Sequence, residues 1–149
     1  MKPTITWILV ANGTQARVLE NTGPGKGLRQ VDGLDFGIEA LQARELVTDR
    51  PGRSFSSVGH GRSAIEPRTD PVEQREAEFA KSVADMLDAQ CSKGAFNRLV
   101  IAAAPIALGD IRKSLTPAVK KTILAELPKD LTNLPTAQLD KHLDGIIAV

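Results

Sequence analysis

The chain has 149 residues, 19 Lys and Arg against 18 Asp and Glu, and a formal net charge of +1. That length suits one domain able to bury about 68–70% of its unfolded surface, and near-neutrality excludes a whole-molecule field that would draw in nucleic acid or anionic membrane. A single cysteine, Cys91, rules out an intramolecular disulfide framework and is expected to serve as small buried filler within a helix.

At the N-terminus the apolar run Ile5 to Ala11 is far short of the ~20 residues of a membrane span and at the lower limit for a signal-peptide core. The expectation is a soluble, cytoplasmic protein without membrane association. In TITWILVA, Thr4 to Ala11, apolar side chains fall on both faces of an extended chain, which describes a central strand covered on both sides and places Trp7 in the core. Asn12-Gly13 signals a turn, so QARVLEN returns as the second strand of an antiparallel hairpin. After the flexible stretch Gly23 to Gly27, Leu28 to Leu34 is expected as a third strand at the sheet edge. Ile38 to Val47 fits either a short helix or a strand.

Asp49 to Pro71, DRPGRSFSSVGHGRSAIEPRTDP, is long and polar. Connections usually take about 4–6 residues, and those beyond about 12–15 are generally functional, disordered or linkers. Asp70-Pro71-Val72-Glu73 then marks a helix start, with Asp70 as cap and Pro71 at the first helical position. Val72, Phe79, Val83, Met86, Leu87 and Cys91 fall near one stripe, and Gly94 supplies a stop, so the helix is predicted to end near Ser92. Arg98 to Pro105 reads as a second buried strand. Helical segments are expected over Gly109 to Leu115 and Pro117 to Leu127, with Thr116 capping the latter. Lys129 to Leu131 suits a short strand, and Pro135 to Leu143 a last helix. The fold class is α/β: one domain over residues 1–149, with a mixed sheet, an N-terminal antiparallel strand run and packed helices.

The chemistry legible in the chain concentrates in the long segment. His60 and His142 are the only histidines, and neither has the spacing of a metal site; no metal or cofactor is expected. Gly59-His60-Gly61-Arg62-Ser63-Ala64 matches the pattern G-x-G-x-x-A, but a dinucleotide fingerprint must join a buried strand directly to a helix, and here Pro67 intervenes. Glycines on both sides of His60 let backbone amides approach a ligand closely. Arg53, Arg62 and Arg68, with Arg50, can grip phosphate oxygens in bidentate fashion. These residues, with Gly59, His60, Gly61 and Ser63, are the candidate RNA- or anion-binding group. The plainer reading is a solvated loop whose arginines pair with Asp49, Glu66 and Asp70. Arg112, Lys113, Lys120 and Lys121 form a second basic cluster, by itself an ordinary exposed helix face. Aromatic residues are too scarce for a base-stacking platform.

WILVANGTQARVLEN, LVTDRPGRSFSS, EPRTDPVEQREAEFAKSVADML, RLVIAAAPIALGDIRKSL and AELPKDLTNLP together resemble the bacterial host attachment protein family. The most specific pieces are DRPGR at Asp49 to Arg53, APIALGDIRKSL at Ala104 to Leu115, and KDLTNLP at Lys129 to Pro135. The family's name records a phenotype, required for attachment to host cells, and not a biochemical activity. That family is similar in turn to the middle domain of archaeal and eukaryotic class I peptide release factors, an α/β domain of RNase H-like and ribosomal L18/S11-like kind. The resemblance implies that the long segment corresponds to the release-factor loop whose Gly-Gly-Gln enters the ribosomal peptidyl transferase centre. If Gly61 takes the second glycine, His60 stands at the first and Arg62 at the glutamine. Arginine cannot replace a neutral amide that both donates and accepts. The expectation is therefore a non-catalytic module contacting the ribosome or structured RNA. The alternatives are a hydrolase of peptidyl-tRNA or a related ester, with His60 as the weak catalytic candidate, and an interaction protein supporting attachment.

Overall fold

The computed structural model describes residues 4–38 and 71–147. They form a five-stranded mixed sheet in the order β3-β2-β1-β4-β5, with β1 Thr6–Ala11, β2 Gln15–Asn21, β3 Arg29–Gly37, β4 Arg98–Ala103 and β5 Ile123–Leu127. β1 pairs antiparallel with β2 and parallel with β4, and β5 continues the parallel half. Helices α1 Pro71–Ser92, α2 Pro105–Ser114, α3 Pro117–Lys120 and α4 Thr136–Leu139 connect and cover it, and a 3-10 turn, Asp140–Leu143, follows α4.

The alternation of β1 determines two cores. Trp7, Leu9 and Ala11 point to the side covered by α1 and α2, where they meet Phe79, Val83, Leu87, Ile101 and Ile111. Ile8 and Val10 point to the opposite side and pack with Leu19, Val100, Leu131, Leu139 and Leu143. All six β1 residues are buried, as a strand covered on both faces requires. Trp7 stacks on Phe96 at 4.9 Å and donates its indole N–H to Glu20 at 3.2 Å, which satisfies the one polar atom of that ring.

α1 turns Phe79, Ala80, Val83, Ala84 and Leu87 to the sheet. It closes in a Schellman arrangement: Gly94 adopts φ +74°, its N–H donates to the Cys91 carbonyl, and the Ala95 N–H donates to the Gln90 carbonyl, both at 3.0 Å. Cys91 is half-buried against the first core and Met86 likewise, whereas Val72 is 49% exposed, so the apolar stripe begins only at Phe79.

Three boundaries differ from expectation. Pro105 opens α2 at its first position instead of ending β4. A proline there loses no helical hydrogen bond, since the first four N–H groups are unpaired anyway. Pro117 to Leu127 is not one helix: α3 stops after a single turn, Thr122 donates to the Val119 carbonyl through both N–H and Oγ1, and Ile123–Leu127 becomes β5. Lys129 to Leu131 is no strand; Asp130 accepts from the Thr132 N–H at 3.0 Å in a local turn, and Leu131 enters the second core. Thr116 does cap α3, accepting from the Val119 N–H at 3.4 Å. The third strand lies at the sheet edge as expected, running on to Gly37. Ile38 to Val47 falls largely outside the described residues.

Candidate functional site

Because β1, β4 and β5 run parallel, their carboxyl ends share one edge, the usual place for ligands in open α/β sheets. Five pieces of chain gather there. The β1–β2 turn is closed by the Asn12 N–H donating to the Gln15 carbonyl at 2.9 Å. The Ile38 N–H donates to the Thr14 carbonyl at 2.8 Å, which holds the end of β3 beside that turn. α1 starts here and lays Glu76 across Gly13. α2 starts here too, with the Ala104 N–H reaching the Ala11 carbonyl at 3.3 Å. The Asp130–Thr132 turn after β5 completes the edge.

Asn12 ties these pieces together. Its Nδ2 donates to Asp130 Oδ2 at 3.1 Å and to Thr132 Oγ1 at 3.0 Å. Its Oδ1 accepts from the N–H groups of Thr14 and Gln15, both at 2.9 Å, and from the Thr14 hydroxyl. One amide thus shapes the hairpin turn and fastens it to a loop more than a hundred residues away. Gly13 lies outside the left-handed φ range, and what its missing Cβ leaves room for is Glu76, whose carboxyl carbon would stand 2.6 Å from a Cβ there. Since that carboxyl ends a flexible side chain, a larger residue at 13 would displace it.

Burial pushes the Asp130 carboxyl upward, but hydrogen bonds from the Thr132 hydroxyl, the Thr132 N–H and Asn12 outweigh it and hold the group below its ordinary pKa. A lowered folded pKa contributes stability above the unfolded value of about 3.9 and loses it as pH falls through the folded value. Asn12→Ala is expected to cost about 1–3 kcal/mol in urea unfolding at neutral pH, since several bonds go at once while the freed groups keep some access to water. In the same assay, the stability gap between wild type and Asp130→Asn should close as the solution is acidified through the carboxylate range. A gap independent of pH would mean that the charge of Asp130 contributes nothing.

The candidate residues Arg53, Gly59, His60, Gly61, Arg62, Ser63 and Arg68 lie outside the described residues, as do Asp70 and the G-x-G-x-x-A stretch. What is described is where the chain departs and returns: Ile38 bonds the β1–β2 turn, and Glu76 in the second turn of α1 lies against the same turn on the carboxyl edge. Sequence reasoning did not single out Asn12, Glu76, Asp130 or Thr132. The Asn12-Gly13 turn and the Asp-x-Thr spacing at 130–132 were the available signals, but the joining of the two is tertiary. This edge offers carboxylates and hydroxyls, and among the described residues no group of three or more His, Cys, Asp and Glu side chains gathers to hold a metal. A separate open cleft of about 390 Å³ follows the α1–α2 seam, where Glu78 and Lys81 face Asp110 and Lys113; both charge signs line it, so it has no clear preference for an ion of either sign. Among the described residues no helix is long and apolar enough to cross a membrane.

Fold and edge together define an α/β domain with a five-stranded mixed sheet, helices on one face and a C-terminal cover on the other. The sequence carries the identity further: residues 7–143 match the family model described as protein required for attachment to host cells, and the chain belongs to that family. No curated protein matches it. Among solved structures, one titled "Archaeal protein" is similar at 12% identity and a TM-score of 0.46, over 97% of this chain and 35% of that one. Another, titled "pCBH ParM non-polymerisable quadruple mutant", is similar at 9% identity and a TM-score of 0.45, over 95% of this chain and 48% of that one. The chain therefore spans about a third and about half of those two structures.

Proposed function

We propose that this member of the host attachment family is a non-catalytic binding module that contacts structured RNA or the ribosome through the Arg- and Gly-rich segment between the sheet and α1. The observation that supports the reading is that Ile38 and Glu76 of α1, on either side of the segment, meet the same β1–β2 turn on the carboxyl edge, so that the described residues flanking it belong to one platform. The Asn12 node stiffens that platform. Because the described side chains of the edge include the carboxylates of Glu76 and Asp130, positive charge for a phosphate partner comes from the segment, where Arg53, Arg62 and Arg68 supply it. Arginine suits phosphate because its planar fork meets two oxygens at once. An attachment role would then follow indirectly, through the RNA or ribosomal partner.

The test is titration of an RNA duplex of about 20 base pairs, and of ribosomes, across a salt series. Replacing Arg53, Arg62 and Arg68 together by alanine is expected to reduce the slope of log K against log salt by about 2–3, and affinity near ~0.1 M salt by about two to three orders of magnitude. Equal affinities and slopes would remove the segment from the interface. Release of peptide from peptidyl-tRNA by wild type, abolished in His60→Ala, would replace binding by hydrolysis.

A further inference from the structure

Asn12-Gly13 is the one asparagine–glycine step in the sequence; Asn21, Asn97 and Asn133 are followed by Thr22, Arg98 and Leu134. An asparagine amide is open to attack at Cγ by the backbone nitrogen of the next residue, and glycine, which has no Cβ, obstructs that approach least. The Gly13 N–H has no hydrogen-bond acceptor among the described residues, so no bond there holds that nitrogen back. Asn12 and Gly13 are half-buried and Thr14 is exposed, which leaves the turn open to water.

What restrains the step is the set of partners on the Asn12 amide. Oδ1 accepts from the Thr14 and Gln15 N–H groups, bonds that arise within the turn itself. Nδ2 donates both of its protons to a loop distant in sequence, to Asp130 Oδ2 at 3.1 Å and Thr132 Oγ1 at 3.0 Å. Turning Cγ onto the Gly13 nitrogen gives up these bonds, and the one to the carboxylate belongs to the stronger, charge-assisted kind. The tertiary fold therefore protects an amide that the local sequence leaves vulnerable.

We propose that Asn12 is a site of spontaneous deamidation, kept slow by the Asp130–Thr132 loop, and that its conversion unfastens that loop from the β1–β2 turn. The Gly13 nitrogen bonds to Cγ and gives its proton to solvent base; the Cγ–Nδ2 bond breaks, ammonia leaves, and a cyclic imide remains. Water then adds to either imide carbonyl and opens the ring to aspartate or isoaspartate, so that amide and water become carboxylate and ammonium with no redox change. Either product carries an acceptor-only group where Asn12 had two donor protons. In the place of Nδ2 it would face Asp130 Oδ2, and two carboxylates at that separation disfavour each other's charge. Isoaspartate also adds a methylene to the backbone of the turn that the Asn12 N–H closes onto the Gln15 carbonyl. Release of ammonia makes the change one-way, and it would loosen the carboxyl edge whatever the arginine-bearing segment binds.

The experiment has two arms. In the first, wild type is incubated in mildly alkaline buffer, folded and in denaturant, beside a folded variant carrying Asp130→Ala and Thr132→Val, and mass spectrometry follows amide-to-acid conversion in the peptide spanning Asn12. The folded variant should deamidate about tenfold faster than folded wild type or more, and denatured wild type at least as fast as the variant. Equal rates for folded and denatured wild type overturn the protection, and that comparison stands even where the variant does not fold. In the second arm, Asn12→Asp mimics the product and should lower the urea midpoint at neutral pH. Adding Asp130→Asn exchanges the amide and the carboxylate across the same contact and should restore most of the loss. A product mimic as stable as wild type, or no recovery in the exchanged pair, overturns the unfastening.

Discussion

Ile8→Ala and Ile101→Ala should each lower the free energy of unfolding by about 2–5 kcal/mol, read as a fall in the urea midpoint with little change in slope. Both side chains are at most 1% exposed, yet they lie on opposite faces of the sheet. Each truncation removes methylene groups from a close-packed layer that can relax only in part, so the loss combines transfer and cavity costs. Similar losses at the two positions would establish that the face under the C-terminal segment is packed as tightly as the one under α1. A cost below about 1 kcal/mol for Ile8 alone would show instead that its cover is loose.

Ending the chain after Leu134 should abolish the cooperative transition altogether. The removed part contains Leu139 and Leu143, each 1% exposed, and the partly buried Ile146 and Ile147. Two buried leucines at about 2–5 kcal/mol each already rival the ~5–15 kcal/mol of a whole domain. The loss also uncovers Ile8, Val10 and Val100 on the central strands. Leu139→Ala, by comparison, should remain folded with a loss of about 2–5 kcal/mol. A truncated chain that unfolds with the wild-type midpoint and slope would mean that the segment rests on the sheet without stabilising it.

The short helices of this cover are tethered as well as packed: the Arg17 guanidinium on β2 donates to the Leu134 carbonyl, while its buried Nε has no partner among the described residues. The tether is polar and incomplete, so the apolar contacts are the larger contribution.

How far the fold was legible depended on whether a segment's own pattern was sufficient. Thr6–Ala11 and Arg98–Ala103 were recognisable as interior strands because an extended chain apolar on both faces has nowhere else to go. α1 was recognisable because a proline start, an apolar stripe and Gly94 agree with one another, although Val72, counted in that stripe, is exposed. ILAEL in β5 misled for a physical reason: leucine, alanine and glutamate favour a helix locally, and only the open edge of β4 makes the strand the better state. Ala104-Pro105 misled because a proline after an apolar run looks like a stop, whereas its position relative to the helix determines its effect.

For the candidate site the division is sharper. The sequence by itself determined a near-neutral α/β chain, two buried strands, a hairpin at Asn12-Gly13, a long arginine- and glycine-bearing segment and membership of a family, because each rests on local pattern, composition or motif. Tertiary structure alone decided that Ile38 and Glu76 of α1 meet the same β1–β2 turn, that Asn12 joins its turn to Asp130 and Thr132, that Gly13 leaves room for Glu76, and that Glu126 engages Arg112. Those features depend on which residues meet across large separations along the chain, and periodicity within a segment carries no information about that.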